Sequence, residues 1–471
     1  MSINSDGAGS PVDISKTRKA VLLKIYFLAQ TFLLMTICLV IWRPLKISIF
    51  SKMVGASSIP SAKLFSLLFI IPMILFYSVL VDVLRRHQLV YWFTLFHGII
   101  GIIFYFLISH PVYGIQNTLV SPNRWTGWTF YFFMESFDAF FATTFWAFAD
   151  SICNPKDARN YYGYVVAGSK VGGIFGAGGL YLVLSNTSSA THLSLIPNSL
   201  LMGCCALFAA AFSIYILRKN VSRGYMHGYE AVYQLEKTKE KTDRSWFEII
   251  KSPIDGLILI IKNPYVMGIF SLCVFYEVTV VIFDFMLALN ADATYLTVGG
   301  MTSYYAYYYL IYNLIGLGVT LFGTTPILRI LGLRWSLFVF PLVCLMFLII
   351  TLISPTTGVI FWVLVGLRAF NYALNHPTRE VLYIPTTKEI KFKAKAWTDA
   401  FGSRIAKSFG SAFNVSLQSV SPAVAMFSSL GLSLGLTSVW IVIVYFLGKT
   451  LQDAIDNKKI IGEQSLPLDK N

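Results

Sequence analysis

Residues 335–354 read WSLFVFPLVCLMFLIITLIS, twenty positions without one Asp, Glu, Lys, Arg or His. Wound as an α-helix, such a run rises about 30 Å, the thickness of a bilayer's hydrocarbon core. Eleven more runs of similar character flank it. Together the spans fall near 20–42, 64–82, 89–109, 126–149, 161–184, 197–217, 264–289, 304–326, 335–354, 357–376, 398–420 and 422–448. The spans at 161–184, 357–376 and 398–420 are the least hydrophobic. Composition agrees with this reading. Of 471 residues 56% are apolar and only 13% charged, about half the charge of a soluble chain. A water-soluble enzyme and a disordered chain are both excluded. The fold class predicted is an all-α membrane protein with twelve transmembrane helices.

Chemistry of the catalytic kind finds no support. The six cysteines are scattered, with no CxxC and no Cys/His spacing that suits zinc. No HExxH and no Ser/His/Asp grouping occurs. The chain is therefore expected not to be an enzyme and to need no cofactor and no metal. The first apolar run lacks a small-residue cleavage site and is read as a retained helix.

Basic residues set the expected orientation. With the N-terminus inside, the inner turns hold Arg85–Arg86, Lys156 and Arg159, Arg329 and Arg334, and the run from Arg379 to Lys395. The outer turns after the fifth, seventh, ninth and eleventh spans hold no Lys or Arg. This bias places both termini in the cytoplasm. One segment breaks the rule: Arg43, Lys46, Lys52 and Lys63 all fall outside, after the first span, and need an explanation other than topology. Residues 218–263 are polar and charged over most of their length, which divides the chain. The organisation expected is a cytoplasmic tail 1–19, a six-helix half 20–217, a linker 218–263, a second half 264–448 and a tail 449–471. Two six-helix halves with matching charged turns after their second spans resemble the major facilitator architecture, whose repeats place a site at mid-membrane between them.

An ionisable group at the bilayer centre costs about 2.5–3.5 kcal/mol on insertion scales, so it persists where it faces a cavity or a partner. Such groups here are Glu135 and Asp138, three apart on one helix face, Lys170, Glu277 and Asp284, Arg368, Arg404 and Lys407. Arg43 and Lys46 sit at the end of the first span or in an extension of it. A wet central cavity with a positive field suits a polyanionic substrate. Any one of these charges can equally be a structural ion pair between helices. The whole set being structural is the weaker reading. The run Gly168-Ser-Lys-Val-Gly172-Gly173-Ile-Phe-Gly176-Ala-Gly178-Gly179 lacks the GKS or GKT of a phosphate loop and is read as close helix packing. The tyrosines 304, 305 and 307–309 are read mainly as an interfacial belt, with one or two able to stack on a base. His97 is read as a hydrogen-bonded core histidine. No nucleic-acid partner is expected.

The stretch from Tyr372-Ala-Leu-Asn-His-Pro377-Thr378-Arg379-Glu380-Val-Leu-Tyr383-Ile384-Pro385 through Lys391-Phe-Lys393-Ala-Lys395-Ala-Trp-Thr-Asp399 resembles the ATP/ADP translocases, the nucleotide transporters of plastids and intracellular bacteria. That family carries an Asp-Pro-Thr-Lys-Glu-x-x-Tyr-Ile-Pro run followed by a Lys-x-Lys-Gly-Lys-Ala-x-x-Asp run. Three further patches are similar: Ile41 to Lys46, Gly55 to Leu64, and Glu135 to Gly163. The resemblance implies a facilitator-like fold and exchange of ATP and ADP across a membrane without hydrolysis. The N-terminal residues show no transit-like pattern, so the bilayer expected is a bacterial cell inner membrane. By motif position the family's functional lysines and glutamates fall on Lys46, Glu135, one of Lys393 or Lys395, and Asp284 with Glu277 as the other candidate. The substrate-binding set expected is Arg43, Lys46, Glu135, Asp284, Lys393, Lys395, Arg404 and Lys407. Where the family flanks its first-span lysine with aspartates, this chain has Pro44 and Ile47. That departure keeps a proton-coupled import of nucleotides, or of another anion such as NAD, open as the alternative.

Overall fold

The computed structural model describes residues 14–462 apart from 85, 154, 222–255, 323, 384, 388–389, 391–393, 399–401 and 458. Within them lie twelve helices of fourteen residues or more: α1 (Ile14–Met53), α2 (Ile59–Val83), α3 (Arg86–Ser109), α4 (Trp125–Ile152), α5 (Pro155–Ser185), α6 (Ser189–Asn220), α7 (Pro264–Thr294), α8 (Val298–Phe322), α9 (Thr324–Ile353), α10 (Thr357–Phe370), α11 (Ser403–Ser416) and α12 (Pro422–Asp456). Among the described residues, eight are long and apolar enough to cross a bilayer on length and composition alone. Of the other four, α4 holds Glu135 and Asp138, α8 a tyrosine run, and α10 and α11 are short.

The distribution of side chains inverts that of a soluble protein. Ile99, Ile103 and Phe106 form an exposed stripe along α3, and Val439, Val442 and Phe446 another along α12. Lys24 and Lys46, in contrast, are buried. An apolar exterior of this extent is stable only where the solvent is itself apolar.

Packing divides into two cores. One is built from α1–α6, around Trp42, Phe93, Phe137 and Phe145; the other from α7–α12, around Phe283, Tyr308, Phe340 and Trp440. Within the first half, α5 packs against α1 at backbone distance. A methyl group at Gly168, Gly172 or Gly176 would lie 2.8 Å from the Ala29 carbonyl oxygen, 2.4 Å from that of Leu33, or 3.1 Å from the Ile37 Cα on α1. Glycine every four positions thus lets two backbones touch, as its packing reading requires. Gly173, on another face, abuts Asn313 of α8 in the opposite half.

Three departures from the expected spans matter. First, α1 does not end near residue 42 but continues to Met53, through Pro44. Lys63, likewise, lies on α2 rather than in a loop. The four basic residues that broke the orientation rule are therefore helix residues, each facing a carboxylate on another helix. Second, Gly332 adopts φ 71°, a left-handed conformation that splits α9 at the charged turn before the second-half third span. Third, α10 gives way to a π-helical turn, Asn371–Asn375, and then a short helix His376–Leu382. Most of the linker expected at 218–263 lies outside the described residues. Beyond α12 the chain folds back. Ile461 N–H donates to the Pro385 carbonyl at 2.7 Å and Thr387 N–H to that of Ile461 at 3.1 Å, a parallel bridge to the loop after His376–Leu382.

Candidate functional site

Charges carried inside membrane helices must find each other. In the first half they do so across α1 and α4. Glu135 and Asp138 stand less than one turn apart on α4 and face α1. Lys46 Nζ donates to Glu135 Oε1 and to Asp138 Oδ2, both at 2.8 Å. Arg43 Nε donates to Asp138 Oδ1 at 3.0 Å. Pro44, between the two cations, cannot donate to the carbonyl one turn earlier. Tyr131, one turn before Glu135, places its ring 5.5 Å from the Lys46 ammonium.

The second half repeats the pattern with different residues. Arg368 of α10 donates through Nη2 to both oxygens of Asp284 on α7, at 2.8 and 2.7 Å. Two turns along α7, Glu277 accepts a hydrogen bond from Ser403 Oγ at 2.7 Å and lies 3.7 Å from Lys407 of α11. The Nη1 of Arg404 is buried without a hydrogen-bond partner among the described residues. Lys63 reaches from α2 across the seam to Asp284, at 3.8 Å. Nearer the α1–α2 turn a second contact ties the halves: Lys52 Nζ meets Asp292 Oδ1 at 2.7 Å and donates to the Asp292 carbonyl at 2.8 Å.

Between these clusters runs one face of α8. Tyr305, Tyr308, Tyr309 and Tyr312 are buried there, and the hydroxyls of Tyr304, Tyr305 and Tyr308 have no partner among the described residues. The belt expected for this run is corrected on that point. The helix opens six residues before the first tyrosine, at Val298, which carries the run into the bundle. His97 behaves as a core residue should. Its Nδ1 lies 2.8 Å from the Phe93 carbonyl and its Nε2 3.3 Å from Ser136 Oγ.

The structure thus gathers Arg43, Lys46 and Glu135 on one side of the seam and Asp284, Arg404 and Lys407 on the other. It does not bring Lys395 to them. That lysine pairs with Glu380 of the His376–Leu382 helix, beside the Tyr383 ring. Lys393 lies outside the described residues. Asp138, Glu277 and Arg368 were visible in the sequence as charges within spans, but their partners were not. Lys63 was noticed only as an exception to the orientation rule and not as a site residue, because the second span was opened at residue 64, one position after it. Among the described residues, six cations (Arg43, Lys46, Lys63, Arg368, Arg404, Lys407) stand with four carboxylates (Glu135, Asp138, Asp284, Glu277), and Lys170 adds its ammonium 5.6 Å from the Tyr312 ring on the same α8 face.

Residues 13–451 match the TLC ATP/ADP transporter family. The chain belongs to that family. Two curated relatives are ADP,ATP carrier protein 3 of Rickettsia bellii (strain RML369-C), 24% identical over 72% of this chain and 75% of the relative, and its counterpart in Rickettsia prowazekii (strain Madrid E), 23% identical over 71% and 76%. Among solved structures, a peptide transporter POT in complex with sulfate superposes with a TM-score of 0.59 at 11% identity, covering 90% of this chain and 95% of that one. A bacterial homologue of the lysosomal transporter Spinster, inward-facing and unoccupied, superposes with a TM-score of 0.51 at 14% identity, covering 96% and 99%. These likenesses show the fold: two six-helix halves of the major facilitator type. A member of the TLC ATP/ADP transporter family is a membrane transporter, not an enzyme.

Proposed function

We propose that this chain exchanges ATP for ADP across a bilayer by alternating access. The observation that carries this reading is the composition of the seam, where six cations meet four carboxylates between the two halves. A surplus of positive charge at a partly enclosed site favours a polyanion of several charges over a neutral solute. Arg43 and Lys46, with Arg404 or Lys407, attract the phosphates. Glu135 and Asp284 hold cations in the empty protein and release them to substrate. Lys393 or Lys395 assists on the cytoplasmic side. Residues 20–217 then rock against 264–448, and only a difference in substrate affinity between the end states drives that cycle. The surrounding lipid is that of a bacterial inner membrane, with both termini cytoplasmic, in keeping with the arginine- and lysine-rich turns on that side.

The test uses liposomes containing the purified protein. Labelled ATP uptake that requires internal ADP supports exchange. Pro44 and Ile47, standing where related chains flank the lysine with aspartates, favour a second reading. Uptake driven by a proton gradient and indifferent to internal ADP selects proton-coupled import instead.

A further inference from the structure

Asp284 is over-subscribed. Arg368 already donates to both of its oxygens, and Lys63 approaches the same Oδ2 from the other half at 3.8 Å. That distance is too long for a hydrogen bond, so Lys63 is held there by charge alone. Lys46 differs, with two carboxylate bonds of 2.8 Å. The position of Lys63 is fixed by its helix. Pro60 occupies the first turn of α2, where a missing N–H costs nothing, and Lys63 follows within a turn. Its next charged neighbours are Glu135, Arg368 and Lys46. The ammonium therefore stands between the carboxylate cluster of one half and that of the other, on a flexible stem and partly open to solvent.

An anion arriving at the seam meets unequal competition. To engage Lys46 or Arg368 it must displace short charge-assisted bonds, whereas Lys63 surrenders none. We propose that Lys63 is the residue that counts phosphates: the terminal phosphate of a di- or triphosphate takes it from Asp284, loosening a tie between the halves. A monophosphate, with fewer charges to distribute, gains little from this residue once its phosphate is held by the Arg43–Lys46 pair. The inference rests on the adenine-nucleotide reading and names a selectivity determinant within it.

The test measures displacement of labelled ATP from the purified full-length protein by ATP, ADP and AMP. Lys63→Gln is expected to weaken ATP at least tenfold and AMP less than threefold, so that discrimination between them collapses. Lys63→Arg is expected to retain it. Equal losses for ATP and AMP, or no loss for either, would overturn the proposal. Lys63→His gives a second readout within one folded protein. Preference for ATP over AMP should rise as pH falls and the imidazole becomes charged, and a flat ratio across that range also overturns it. Wild-type protein that binds none of the three nucleotides defeats the functional reading itself, a result distinct from either of these.

Discussion

Replacing Lys46 by alanine separates a transport role from a structural one. Lys46 Nζ makes two bonds of 2.8 Å, and its side chain is only 10% exposed. Removing one partner of a buried ion pair costs about 3–5 kcal/mol. Glu135 and Asp138 retain 21% and 19% of their side-chain exposure, so water offsets part of that, and ~2–3 kcal/mol is expected here. Two carboxylates would then share one helix face with Arg43 as their cation. The thermal midpoint in detergent should fall by a few degrees. Binding should suffer separately. A hydrogen bond between an ammonium and phosphate is worth about 1.5–3 kcal/mol, or about 10- to 100-fold in affinity. Adding Glu135→Gln removes the surplus negative charge, so the double variant should regain most of the lost stability and none of the lost ATP uptake. The reasoning is refuted if Lys46→Ala transports within twofold of wild type, or if the second substitution restores transport together with stability.

Four other expectations follow from the geometry. Gly172→Ala places a methyl group against the Leu33 backbone carbonyl, which cannot swing away, and should destabilise by about 1–3 kcal/mol. Gly179→Ala meets nothing within 4 Å, and its thermal midpoint should stay level or rise. Lys52→Asp should slow exchange by setting two carboxylates together across the seam, and Asp292→Lys in the same chain should recover most of the rate, measured by uptake into liposomes. Ile461→Pro removes the N–H donated to the Pro385 carbonyl and should speed limited proteolysis within residues 385–390.

Much of the fold was legible because a bilayer enforces a simple rule. A run such as 335–354 can do little else than cross, and eight helices of that length and apolarity among the described residues set the class. The ends of the helices were less legible. Hydropathy falls at Arg43, so the first span was closed there, whereas α1 carries on to Met53 because α4 and α7 supply carboxylates for Arg43, Lys46 and Lys52. Local sequence does not encode a partner 89 or 240 positions away. The site shows the same division. Glu135 and Asp138 could be placed on one face by their spacing alone, but which cation each holds is decided by the packing of separate helices. The tyrosine run on α8 was misread for a related reason. Tyrosine suits both a membrane interface and a buried seam, and only the helix start at Val298 distinguishes them. Nothing in the residues 371–375 announces the π-helical turn, although such turns recur at functional positions.

The short bridge between Thr386 and Ile461 carries a consequence for how the molecule is made. A chain synthesised from its N-terminus reaches residue 461 only after every helix has been translated. The segment that bears Glu380 and leads to Lys395 must therefore wait, unclasped, until the last stretch arrives to button it down. A protein cut short just before Lys459 would insert with all twelve helices and still leave that segment unfastened.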